Sequence, residues 1–193
     1  MLIVGLTGGL GCGKSFVAAA MRELGAHVIE ADELGHRVLA AGGEAHDDVV
    51  AAFGTADRGQ LAALVFGKPE ELGRLNAIVH PAVRALARKT IDEIRVLDPH
   101  GVVVYVAAIL IESGGLKDVE KLIVVHCHED QQITRAMEQR GASRDAVLAR
   151  MKHQMPVAEK LMKADFTIDT GGTKDETLRQ TKMVLEELRK LAV

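Results

Sequence analysis

The chain has 193 residues, enough for one core domain with insertions but too few for two independent domains of ordinary size. Its 24 basic and 27 acidic residues leave a formal net charge of -3, so no overall field draws it to nucleic acid or to an anionic membrane, and any anion site must be local. Apolar residues make up 48% and aromatic ones only 3%, a balance that favours buried parallel strands interleaved with helices over an aromatic-rich sandwich.

Residues 2 to 6 form a short apolar run ending at Thr7-Gly8-Gly9, and from Lys14 to Leu24 the apolar residues Val17, Met21 and Leu24 recur at helical spacing. A strand, a glycine loop and a helix are expected in that order. Gly25 stops the helix, Ala26-His27-Val28-Ile29 reads as a second strand, and Glu30-Ala31-Asp32 lies at its end. From Glu33 to Arg95 the pattern is helical in pieces, with breaks expected at Gly42-Gly43, Phe53-Gly54, Gly59, Gly67-Lys68-Pro69 and His80-Pro81. The apolar runs Val102 to Ile111 and Lys121 to His126 suit strands covered on both faces. Glu129 to Arg140 and Arg144 to Met155 read as two helices carrying Arg135, Arg140, Arg144 and Arg150. A fifth strand, Phe166 to Asp169, precedes a helix from about Lys174 to Leu191. No stretch approaches the roughly 20 apolar residues of a membrane helix. Two cysteines, Cys12 and Cys127, without CxxC spacing point to a reducing, cytoplasmic setting.

The chemistry is concentrated in Gly8-Gly9-Leu10-Gly11-Cys12-Gly13-Lys14-Ser15, which satisfies the full G-x-x-x-x-G-K-[ST] pattern between a strand and a helix. Glycines let successive N–H groups of Gly9, Gly11, Cys12, Gly13, Lys14 and Ser15 converge on phosphate oxygens, and the helix N-terminus adds its own donors. Lys14 is expected to bridge the β- and γ-phosphates of ATP, and the Ser15 hydroxyl to ligate Mg²⁺. A glycine turn with a purely packing role would not need the lysine and the serine.

Switches, motors and kinases share such a loop, so its neighbours must decide. Asp32-Glu33-Leu34-Gly35 matches the DxxG of a G-protein by letter, but it comes too soon after the loop, and NKxD is absent. Asp32 instead sits where the second strand should end, facing the crevice of an open parallel sheet. There it can take the proton of an attacking hydroxyl or cap the helix that follows. The arginines between 135 and 150 can close over a transferring phosphoryl group or form ion pairs on a solvated helix face. His126-Cys127-His128-Glu129-Asp130 has the letters of a metal site, yet neighbouring residues on a strand diverge to opposite faces.

Several blocks, in order, resemble the dephospho-CoA kinase family. They are Ile3 to Ser15, Glu30-Ala31-Asp32 with His36, Asp57-Arg58 with Leu61 and Phe66, and Leu75-Asn76-x-Ile78-x-His80-Pro81 with Arg84. Leu110-Ile111-Glu112-Ser113, Gln132-x-x-Arg135-x-Met137, Arg150, Gln154 and Ala164-Asp165-Phe166-x-Ile168-Asp169 follow. The resemblance implies an α/β P-loop kinase: a parallel five-stranded sheet flanked by helices, with a helical acceptor-binding region and a helical lid. A single domain over residues 1–193 would have its core at about 1–30, 100–128 and 164–193, its acceptor region at about 31–99 and its lid at about 129–160. The implied activity is ATP- and Mg²⁺-dependent phosphorylation of the ribose 3′-hydroxyl of dephospho-CoA, the last step of coenzyme A synthesis. Lys14, Asp32 and Arg140 are then the catalytic candidates, with Asp32 as base. Arg135 and the backbone of Phe16 join the loop residues on the nucleotide, and Asp32, His80, Arg84 and Glu112 shape the acceptor site.

Four positions depart from the family pattern. Phe16 replaces threonine, Glu30 replaces an aspartate, Ala108 stands where proline is common, and the usual second lid arginine aligns with Gln139, leaving Arg140 to take its place. Two other readings stay open from the residues alone: a kinase of another small nucleotide-like or alcohol acceptor, and an ATP-binding protein that keeps the fold without turnover.

Overall fold

A computed structural model describes residues 1–192, and among them every side chain except that of Arg140. The chain divides into two compact units, one formed by Met1–Val28 with the chain from Leu97 onward, the other by Ile29–Val96.

The first unit is built on strands β1 (Leu2–Gly8), β3 (Val102–Val106), β4 (Lys121–His126) and β5 (Phe166–Asp169). Strand β2 (His27–Glu30) completes a five-stranded sheet of order β2-β3-β1-β4-β5. β1 pairs in parallel with β3 (Val4 opposite Val104) and with β4 (Leu6 opposite Ile123), and β4 pairs in parallel with β5 (Val125 opposite Ile168). Such strands bury both faces, which is why they lack alternation in the sequence. Leu6, Val104, Ile123, Val125 and Ile168 pack with Val17 and Met21 of α1 (Lys14–Glu23) and with Leu185 and Leu188 of α9 (Lys174–Leu191). Leu122 and Val124, pointing the other way along the same strand, pack with Leu110, Ile111, Met155 and Leu161. Helix α9 starts at a capping box in which the Thr173 hydroxyl accepts from Glu176 N–H (3.2 Å) and the Glu176 carboxylate from Thr173 N–H (2.7 Å).

The second unit is helical. It holds α2 (Ala31–Leu39), α3 (His46–Phe53), α4 (Arg58–Val65) and most of α5 (Pro69–Leu97). Asp57 caps α4 by accepting from Gln60 N–H at 2.9 Å.

Three boundaries differ from expectation. Helix α5 runs through Pro81 instead of breaking at His80-Pro81. Proline removes one hydrogen bond from the ladder. Pro81 lies on the exposed side of the helix, where water can replace the lost donor, while Val83, Leu86, Ala87 and Ile91 stay buried. Strand β3 covers only half of the run from Val102 to Ile111. Pairing stops where Val106 meets Leu6 and Ala107 N–H reaches Leu6 O (3.0 Å), because β1 turns into the glycine loop two residues later. Residues 107–114 then turn back on themselves, with Ser113 N–H on Ile109 O (2.9 Å) and Gly115 N–H on Leu110 O (2.8 Å). The helix expected from Arg144 to Met155 is divided into α7 (Arg144–Met151) and α8 (Val157–Leu161). Pro156 separates them by excluding the helical conformation from the residue before it. Helix α6 (Glu129–Arg140) ends at Gly141, whose left-handed φ of 59° no β-substituted residue adopts cheaply.

Candidate active site

Strand β1 delivers the chain to the ligand-binding end of the sheet, and the connection from Gly9 to Gly13 turns it directly into α1. Gly11 and Gly13 both have left-handed φ, 74° and 77°. A Cβ on Gly11 would also stand 2.2 Å from the carbonyl oxygen of Gln132, so no other residue fits. Tight turns shape the loop: Cys12 N–H donates to Gly9 O (3.3 Å) and Phe16 N–H to Gly13 O (3.0 Å). The Lys14 ammonium folds back over the loop and donates to the carbonyls of Gly8 (3.0 Å) and Gly9 (2.9 Å). Ser15 is exposed on the first turn of α1, and Phe16 beside it is half-buried.

Helix α6 and the end of β5 hold the loop from behind. Arg135 donates to the Thr170 hydroxyl (3.2 Å) and carbonyl (2.9 Å), and that hydroxyl lies 3.0 Å from the carbonyl of Cys12. An open groove lined by Asp130, Gln131, Thr134, Arg135 and Glu138 runs along this part of α6. Gln132 is buried. Its amide nitrogen donates to Cys127 O (3.2 Å), while its side-chain oxygen has no partner among the described residues and lies where a Cβ on Gly9 would meet it at 2.5 Å.

Cys12 and Cys127 are both buried and free, with their thiols in hydrogen-bond contact. That contact, followed by burial, pushes the Cys12 thiol up. The same bond pulls Cys127 down to about 6, against its own burial and with help from the Arg135 charge. Cys12, with none of its surface exposed, fills space beneath the loop.

The turn after β3 is pinned by the segment following α7. Gln154 accepts from Leu10 N–H (3.0 Å), and Glu112 accepts from Met155 N–H (2.8 Å). Lys160, fully buried on α8, donates to Glu112 (2.9 Å) and to the carbonyl of Ala108 (2.8 Å). Burial raises the Glu112 carboxyl, but Lys160 and the backbone donors outweigh it and the net direction is down. This bond set therefore stabilises the fold above the ordinary glutamate range, roughly pH 4.3, and is lost as pH falls through the lower folded value. We expect the urea midpoint to drop on acidification through that window, with a shallower drop in Glu112→Gln. An unchanged slope in the variant would show that Glu112 takes no part.

The remaining candidates lie on the helical unit. Asp32 is exposed in the first turn of α2, two residues past the end of β2. His80 and Arg84 stand one turn apart on α5, both half-buried; burial first, and then the Arg84 charge, lowers the His80 pKa. His36 contacts the guanidinium of Arg58. Arg140 closes α6, and its side chain lies outside the described residues.

Thr170 and Lys160 were not among the sequence candidates, and Gln132 and Gln154 had family-like positions without a role. A signal existed for Lys160: with Val157, Leu161 and Ala164 it occupies one helical stripe, where a lysine among apolar residues is out of place. Nothing local distinguishes Thr170.

The chain matches the family model described as dephospho-CoA kinase over residues 2–176. The dephospho-CoA kinase of Geobacillus kaustophilus is 43% identical over 196 residues, covering 96% of each chain. Among solved structures, a Thermus thermophilus protein superposes with a TM-score of 0.83 at 34% identity, covering 97% of each chain. The dephospho-CoA kinase of Campylobacter jejuni gives 0.69 at 26% identity, over 99% of this chain and 98% of its own. Likeness over nearly the full length, centred on a complete phosphate loop, establishes that this chain belongs to the dephospho-CoA kinase family of phosphotransferases.

Proposed function

We propose that the chain transfers the γ-phosphoryl group of ATP to the ribose 3′-hydroxyl of dephospho-CoA, giving coenzyme A and ADP. The observation that carries this reading is the phosphate loop from Gly8 to Ser15, complete and correctly placed between β1 and α1, in a chain that matches the family over residues 2–176.

Each step is assigned to residues of the chain. The N–H groups of Gly9, Gly11, Gly13, Lys14 and Ser15 and the N-terminus of α1 supply fixed positive dipoles for the phosphates, while those of Leu10, Cys12 and Phe16 hold the loop's shape through Gln154, Gly9 and Gly13. The Lys14 ammonium, held over the loop by the Gly8 and Gly9 carbonyls, moves its charge onto the β,γ-bridge when a triphosphate competes for it. Arg135, a planar cation fixed by Thr170, lies beside the groove of α6 and contributes to the nucleotide site. The exposed Ser15 hydroxyl is an oxygen donor suited to Mg²⁺, which would neutralise phosphate charge there. Asp32 follows the C-terminal end of β2, the end at which parallel sheets bind ligands, and serves as base for the 3′-hydroxyl. Residues 31–99 with His80 and Arg84, together with Glu112, take the acceptor; residues 129–160 act as lid, and Arg140 closes on the moving phosphoryl group.

Incubation of the chain with ATP, Mg²⁺ and dephospho-CoA should yield a 3′-phosphorylated product with the mass of coenzyme A. No product under conditions where ATP binds would refute the reading.

A further inference from the structure

A lysine with none of its side chain exposed is costly, since an ammonium gives up its hydration on burial. An apolar residue at 160 would fill the same volume at no such cost, so the bonds Lys160 makes must supply something other than packing. Both of its described hydrogen bonds go to the turn after β3: to the carbonyl of Ala108 (2.8 Å) and to the carboxylate of Glu112 (2.9 Å). The Ala108 carbonyl takes a second donor, the hydroxyl of Thr7 at 3.2 Å. Thr7 is fully buried and is the last side chain before the glycine loop. The Lys160 ammonium therefore joins three pieces of chain: the root of the phosphate loop, the turn leaving the strand beside it, and helix α8.

The neighbours of Lys160 point the same way. Gln154 holds the Leu10 N–H of the glycine loop, and Met155 N–H holds Glu112. Residues 154 to 160 thus fasten the loop and the β3 turn at the C-terminal end of the strands, where parallel sheets present their ligands. Leu110, in the same turn, packs so closely on β1 that a Cβ on Gly5 would stand 2.4 Å from its Cδ2. Movement of the turn would be felt along β1 and at the loop it carries.

We infer that Lys160 is a positioning residue for phosphoryl transfer, fixing the turn 107–114 against the root of the phosphate loop through Ala108 and Glu112. It touches neither nucleotide nor acceptor and acts through the groups it holds. Arginine carries the charge but not the compact point geometry, so Lys160→Arg restores only part of the function. The inference rests on the phosphotransfer proposed above for its kinetic readout, and on none of it for the exchange readout that follows.

The test uses Lys160→Met, Lys160→Arg, Glu112→Gln and the double variant Glu112→Gln/Lys160→Met. Lys160→Met takes the cation away from the partly exposed Glu112 carboxylate, which keeps its backbone donor Met155 N–H, and loses stability for that reason alone. The double variant removes that charge and folds, and its comparison with Glu112→Gln isolates the lysine. Misplacement of reacting groups by about 1 Å can cost up to ~10²-fold in rate. We expect kcat with dephospho-CoA to fall about 10- to 100-fold from Glu112→Gln to the double variant, with the KM for ATP changed less than about threefold, and Lys160→Arg to lie between that level and wild type. Amide hydrogen exchange at Ser113, Gly114 and Gly115 should quicken in the double variant relative to Glu112→Gln. A double variant with the kcat and exchange rates of Glu112→Gln overturns the inference and leaves Lys160 a stabilising residue only. Wild type without turnover of dephospho-CoA refutes the proposed function instead, and the exchange comparison then decides on Lys160 by itself.

Discussion

Replacing Lys14 by Met should lower kcat for phosphoryl transfer by at least about 10²- to 10³-fold, the scale seen when one preorganised donor is removed from a developing anion. The side chain is unbranched, half-buried and close to methionine in length, so the loop keeps its packing and loses its charge. In the structure the ammonium rests on Gly8 O and Gly9 O, about 3 Å from each. Gly8 and Gly9 are buried, so the variant leaves their carbonyls one donor short, and we expect a lowered thermal midpoint that is read separately from kcat. ATP binding should weaken as well, because the same ammonium neutralises ground-state charge. The kcat loss must exceed the binding loss if Lys14 acts on charge that grows in the transition state. Lys14→Arg should recover little, since a guanidinium fork presents a different geometry to a bridging oxygen. Single-turnover transfer from labelled ATP measures the effect, and a variant within tenfold of wild type would remove Lys14 from the catalytic set.

Legibility in the sequence followed the range of the interactions involved. The phosphate loop was readable because its shape is local: positive φ at Gly11 and Gly13, and a lysine one residue later that starts a helix. The helices Glu129–Arg140 and Lys174–Leu191 and the strand Phe166–Asp169 were readable to the residue for the same reason, as amphipathic or apolar runs bounded by glycine and capping residues. Where a remote partner decided, the reading failed. The apolar run from Val102 could not reveal that pairing ends at Leu6, because β1 lies 100 residues away in the sequence. The fate of Pro81 depended on which side of α5 faces solvent, not on proline itself. The site divides in the same manner. Lys14 and Ser15 stand out as candidates by spacing alone, whereas Thr170 and Lys160 matter only because β5 and α8 bring them to Cys12 and Ala108.

These remote supports give the loop a stiffness that its five glycines in the stretch from Gly5 to Gly13 would otherwise deny it. Thr170 holds the Cys12 carbonyl, Gln154 the Leu10 N–H, and the Gln132 backbone stands against Gly11. A phosphate-binding loop preorganised by neighbours meets the nucleotide with its donors already aimed, and the reorganisation cost falls outside the transfer step.

Asp32→Asn tests the other half of the chemistry. Asparagine keeps the size of the side chain and its ability to sit in the first turn of α2, but it cannot accept a proton. We expect kcat to fall about 10²- to 10⁴-fold, the range attributed to general base catalysis, while the affinity for ATP stays within about twofold. The exposed position of Asp32 and the burial of Leu34 and Val38 beneath it predict an unchanged fold. Glu30→Asp, which restores the acid usual in the family two residues away, serves as the control, because it keeps carboxylate charge near the same strand end without replacing the proposed base. If Asp32→Asn turned over at wild-type rate, the base would have to be sought elsewhere. A uniform loss of ATP affinity with kcat preserved would instead assign Asp32 to binding the nucleotide.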